Sequence, residues 1–151
     1  MYSFLIYLKQ LSLSFWLGEM LFFVIIFAPR VFKILSRESA AKLQASIFPG
    51  YFWVGFICGL ILILFYLYSI FINTSATSKD YYGLALSIIS CAIFAYCLFT
   101  LNPEISELQK TAINFPKDSS EQVVVDFQEK HKLSVKLNVI VLVILLVLIA
   151  L

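Results

Sequence analysis

The chain is 151 residues long, 62% hydrophobic and 13% charged, with a formal net charge of +2 and a mean hydropathy of +0.95. Soluble domains average roughly 45–50% apolar and about 25% charged residues, and one of this size has too little interior to hide the excess. These values exclude a soluble globular domain, and the small net charge excludes nucleic acid as a partner.

Residues 8–28 form the first of four apolar stretches long enough for a hydrocarbon layer of about 30 Å, which takes about 17–25 residues of helix. The others are residues 51–73, 81–101 and 134–151. The first is expected to be retained rather than cleaved as a signal peptide, because Lys9 is its only early base, Glu19 interrupts the run, and Ala28-Pro29-Arg30 makes a poor cleavage site. Glu19 is the main candidate for chemistry, since a carboxylate inside a span is costly unless it is neutral, paired or wetted. Ser12, Trp16 and Glu19 share one helical face. Two readings of Glu19 follow: a proton or cation site in a small oligomeric transporter, or a carboxyl that hydrogen-bonds to a neighbouring helix and fixes packing.

Pro29 is expected to close the first helix. Arg30, Lys33 and Arg37 then recur at i, i+3 and i+7, which puts three bases on one face of any helix resumed there. Such a segment lies along the membrane surface, either recognising anionic lipid head groups or simply anchoring the topology. Phe48-Pro49-Gly50-Tyr51-Phe52-Trp53 is read as the turn back into the bilayer, with proline in a first helical turn and aromatics in an interfacial belt.

Lipid tails are as apolar as leucine, so helices associate in a bilayer chiefly where small residues let backbones approach. The second stretch carries Gly55 and Gly59 at GxxxG spacing, and the third carries Gly83, Ser87, Cys91 and Ala95 at unbroken i+4 spacing. With a short connection between them, these faces predict an antiparallel pair; a homodimer surface is the rival reading. Cys58, Cys91 and Cys97 show no CxxC spacing and are expected to be small packing residues.

The third connection reads as two amphipathic pieces broken at Phe115-Pro116-Lys117-Asp118, with Ser119 and Gln122 resembling a capping box. The second piece continues into the last span, so that helix begins outside the membrane. His131, the only histidine, is followed at i+3 and i+7 by Ser134 and Asn138. With Asn102, these three are expected to form a polar inter-helix cluster at the inner rim. One histidine excludes a bis-histidine haem within the chain, leaving single axial ligation by His131 as the cofactor alternative. No cofactor and no metal site is predicted otherwise.

Nine of the eleven bases lie in or beside the first and third connections, against Lys9 and Lys79 on the other face. The positive-inside rule therefore puts those connections in the cytoplasm and both termini outside a cell membrane. No nucleotide-binding, nucleophile-elbow or zinc-protease motif is present, so an enzyme is the least supported class. The fold expected is all-α: one domain, a polytopic bundle of four transmembrane helices with a cytoplasmic amphipathic helical hairpin before the last span. Its leading function is membrane-embedded binding, assembly or accessory work, with the bilayer and anionic lipids, a second copy or a larger membrane complex as partners.

Gly18, Ala28-Pro29-x-x-Phe32, Ala41-x-Leu43, Phe48-Pro49-Gly50-Tyr51-Phe52, Asn102-Pro103 and Phe127-x-x-x-His131-x-x-Ser134-x-x-x-Asn138 together resemble the uncharacterised four-helix family that includes transmembrane protein 205. The resemblance implies a multi-pass membrane protein of undefined activity and directs interest to Pro29, His131, Ser134 and Asn138.

Overall fold

The computed structural model describes residues 2–72, 76–114 and 121–151. Helix α1 (Tyr2–Leu21) passes through a π-helical turn (Phe22–Phe27) into α2 (Ala28–Ile34). After a break come α3 (Arg37–Phe71) and α4 (Ser78–Tyr96), which runs through a second π-helical turn (Cys97–Leu101) into α5 (Asn102–Asn114); α6 (Glu121–Ala150) ends the chain. The described residues contain no strand. Four helices are long and apolar enough to cross a membrane: Ser3–Ile34, Lys42–Phe71, Ser78–Gln109 and Gln122–Ala150.

Three sequence expectations about where helices stop are corrected. Pro29 does not close the first helix, which continues to Ile34. Proline has no N–H, and its ring crowds the carbonyl four residues back, here Ile25. The π turn resolves this by adding a residue, so that the Ala28 N–H reaches the Phe23 carbonyl five residues back. The same solution recurs at Pro103, where the Asn102 N–H reaches the Cys97 carbonyl. The third helix therefore does not end at Leu101, and the first amphipathic piece, α5, is its direct extension.

Nor does the chain turn at Pro49-Gly50. Pro49 lies inside α3, which begins twelve residues earlier at Arg37, and at 1.5 Å per residue α3 is about 52 Å long. The loss of one backbone bond at Pro49 is offset by burial of the rings around it. Phe48 packs on Phe52 with centroids 5.8 Å apart, and Tyr51 and Phe52 are buried core rather than interfacial belt. The true break is at Leu35, where the backbone is extended, and Ser36, whose hydroxyl accepts the Ser39 N–H at 3.3 Å and caps α3. Arg30 and Lys33 thus end one helix while Arg37 begins the next, and the three do not share a continuous helical face.

The helices form a closed ring: α1 packs on α3, α3 on α4, α4 on α6, and α6 back on α1. The α3–α4 contact is the most extensive. Its register is antiparallel, with Gly55 facing Phe94, Gly59 facing Cys91 and Gly83 facing Tyr66. At the end of the pair, the Asp80 carboxylate accepts from the Thr77 N–H and hydroxyl, both at 2.9 Å, and from the Ser69 hydroxyl at 2.9 Å. A β-carbon added at Gly59 would stand 3.0 Å from Cys91 Cβ and 3.3 Å from its Cα, which identifies backbone approach as what the glycine permits. Trp16, Phe52 and Phe94 fill the centre of the ring; Trp16 and Phe94 meet edge to face at 5.0 Å.

α5 packs on α6, joined by an ion pair between Glu104 and Lys130. The expected break at residues 115–118 and the Ser119 cap lie outside the described residues. α6 is helical from Glu121, thirteen residues before Ser134.

Candidate functional site

The polar residues of α6 converge on a groove of about 230 Å³ walled by the first π turn, the first half of α3 and α6. Most of its lining is apolar, including Met20, Phe23, Phe48 and Leu142. Val24, Phe32, Val135 and Val139 on its rim are exposed. Its polar groups are Gln44 and Tyr51 from α3 and His131, Ser134 and Asn138 from α6.

The sequence places the three α6 groups on successive turns of one face, and the fold gives each a different environment. Asn138 is oriented at both ends: its amide nitrogen donates to the Ser134 carbonyl at 2.9 Å, and its oxygen accepts from the Tyr51 hydroxyl at 2.6 Å. Ser134 is buried. His131 is half-buried, its ring lying flat on Phe127 with centroids 6.0 Å apart and planes within 6°. Asn102 begins α5. It lines a neighbouring crevice of about 30 Å³ together with His131, Gln44 and Gln109, a space sufficient for one water. His131 therefore stands between the crevice and the larger groove.

Glu19 lies elsewhere. Ser12 and Trp16 on its helical face are buried in the bundle, whereas Glu19 lines a second groove, of about 280 Å³, with Phe22, Phe23, Phe27, Ile47 and Tyr51. Its Oε2 is buried without a hydrogen-bond partner, as is Trp16 Nε1. Phe23 and Tyr51 line both grooves, so the π turn stands between them. Helical widening of this kind is frequent at functional sites.

Of the other residues singled out in the sequence, Gly55, Gly59, Gly83 and Cys91 sit in the α3–α4 contact; Gly83, Ser87 and Cys91 are buried and Ala95 only partly so. The Cys91 thiol lies 3.9 Å from the Phe56 carbonyl across it. All three cysteines are buried and unbridged. Arg30 and Lys33 lie in α2.

Two residues of the site were not read from the sequence. Tyr51 was assigned to an interfacial belt, though its hydroxyl orients Asn138. Gln44 stands at i−4 and i−7 from Phe48 and Tyr51, so a lone amide on that face was the available signal. No group of three or more His, Cys, Asp or Glu residues is placed to hold a metal among the described residues. The groove at His131 is smaller than the roughly 300–1,000 Å³ usual for cofactor sites.

An all-helical bundle with four helices able to cross a membrane, carrying small grooves beside a π turn, suggests a multi-pass membrane protein of undefined activity. The chain belongs to the family described as a domain of unknown function (DUF4149), whose model matches residues 11–114. That match takes in Glu19, both π turns, Tyr51 and Asn102, while His131, Ser134 and Asn138 lie beyond it. No curated protein and no solved structure matches the chain.

Proposed function

We propose that this chain is a single-domain, membrane-embedded binding protein whose groove at Tyr51, His131, Ser134 and Asn138 receives the polar head of an amphipathic, lipid-like molecule. It crosses the cell membrane four times, with both termini outside and the α5–α6 hairpin and the Arg30–Lys33–Arg37 region in the cytoplasm. The observation that carries this reading is the convergence of uncharged hydrogen-bonding groups from α3 and α6 on an otherwise apolar groove with exposed lining residues. About 230 Å³ accommodates a head group rather than a whole lipid, so the tail would lie along Val135 and Val139. Neither an enzymatic step nor a cofactor is part of the proposal. Arg30 and Lys33 of α2 meet anionic lipid at the cytoplasmic surface, and the chain is read as related to the family of transmembrane protein 205.

The test is to purify the wild type and an Asn138→Leu variant from the same membranes and compare co-purifying lipids by mass spectrometry. Selective retention of one lipid class by the wild type, reduced about tenfold in the variant, supports the proposal, tenfold being the loss of roughly 1.4 kcal/mol of hydrogen bonding. Identical lipid profiles from two folded proteins would overturn it. A second reading, a small oligomeric transporter, rests on the unpartnered oxygen of Glu19. It is tested by ion flux into proteoliposomes with Glu19→Gln as control.

A further inference from the structure

Glu19 stands at the middle of the first membrane-length helix, Ser3–Ile34, with carboxylate oxygen Oε2 buried and unpartnered. An ionised carboxylate at that depth calls for a counter-charge, a polar partner or water. The groove beside it is lined by Phe22, Phe23, Phe27, Ile47 and Tyr51, none of which is a base. Among the described residues the lining supplies no counter-charge, which leaves a cationic ligand as a source of one.

The chemistry of the lining selects among cations. Calcium and magnesium take six or more oxygens, whereas this groove offers one carboxylate and the Tyr51 hydroxyl, which already donates to Asn138. What the groove has in abundance is aromatic surface, whose rings carry negative faces attractive to weakly hydrated organic cations. Phe23 is itself packed between Phe27 at 4.8 Å and Tyr51 at 5.0 Å, so the aromatic wall is preformed. Phe22, which lines the groove, is itself exposed on the outer side of the π turn.

We infer that the Glu19 groove binds a lipophilic organic cation of the quaternary ammonium type, with the Glu19 carboxylate as counter-ion and Phe22, Phe23, Phe27 and Tyr51 as its aromatic wall. Cation binding here requires neither a filled lipid-head groove, with which it shares Phe23 and Tyr51, nor movement of the cation across the membrane. A volume of about 280 Å³ suits a cation carrying one ring.

The experiment uses the full chain in nanodiscs and benzyltrimethylammonium, with neopentylbenzene, its uncharged carbon isostere, as the shape control and empty discs as the partition baseline. Saturable binding of the cation above that baseline is expected, with the isostere bound about tenfold more weakly or not at all. Glu19→Gln removes the charge and keeps the shape; it should weaken cation binding about tenfold and leave the isostere unchanged. Phe22→Leu, at an exposed position, should weaken the cation by about threefold. A second measurement needs no variant: saturating cation should protect wild-type Glu19 from modification by a hydrophobic carbodiimide, read by peptide mass spectrometry. Equal binding by folded Glu19→Gln, equal binding of the isostere, or undiminished carbodiimide labelling would each overturn the inference.

Discussion

The hydroxyl of Tyr51 donates to Asn138 Oδ1 at 2.6 Å, and this bond spans the diagonal of the helix ring, from α3 to α6, whose backbones do not pack together directly. The other diagonal, from α1 to α4, is spanned by the edge-to-face contact of Trp16 with Phe94. Side chains reaching across the centre thus set the spacing of helices whose backbones approach only their ring neighbours.

Removing the Tyr51 hydroxyl should therefore loosen the bundle. Tyr51→Phe is expected to cost about 1 kcal/mol, the range for inter-helix hydrogen bonds in membranes being about 0.6–1.7 kcal/mol. Asn138→Leu should cost a similar amount, and the double variant no more than either single one. Thermal unfolding in detergent for all four proteins checks this; additive losses would show that the two groups act separately.

The glycines divide by what a methyl group would meet. At Gly55 it would lie 2.2 Å from the Phe94 ring and 2.5 Å from Trp16 Nε1, both fully buried, whereas at Gly18 and Gly50 there is nothing within 4 Å. Gly55→Ala is expected to destabilise by about 1–3 kcal/mol through overpacking. Gly18→Ala and Gly50→Ala should be neutral or stabilising by up to about 1 kcal/mol, since alanine is the better helix former. The three melting temperatures, measured side by side, give the ordering directly.

The Glu104–Lys130 ion pair lies at the partly exposed contact of α5 with α6. Exposed pairs contribute about 0–1 kcal/mol and are screened by salt. Lys130→Ala should lower stability by less than about 1 kcal/mol in dilute buffer, and the difference should shrink at about 1 M salt, where the screening length falls to about 3 Å.

Orientation is tested by single cysteines in a background with Cys58, Cys91 and Cys97 replaced by serine or alanine. A cysteine at Ser36 should react with a membrane-impermeant maleimide only after the membrane is opened, and one at Ala76 should react in intact cells. The reverse pattern would turn the whole topology over.

The apolar stretches were legible because hydropathy integrates over some twenty residues and needs no partner. The small-residue stripe of α4 was legible for a similar reason: i+4 spacing puts Gly83, Ser87 and Cys91 on one face whatever lies opposite. Helix ends were much less so. Pro29, Pro49 and Pro103 each look like a stop signal, yet the first helix continues after Pro29, α3 runs through Pro49 and the third helix passes Pro103. The π turns that absorb two of these prolines are a backbone response with no residue code of their own.

By itself, then, the order of apolar residues determined the helical class, four membrane-length segments and the small-residue faces, because each of these depends on local composition or helical period. Only the tertiary structure decided that Asn138 meets Tyr51, that Asn102 and His131 line one crevice, and that Glu19 lies beside an aromatic groove. Those relationships join residues as far as 87 positions apart, and they are set by which helices become neighbours and how each is rotated about its axis. A π turn, by inserting one residue into the helical count, rotates everything beyond it.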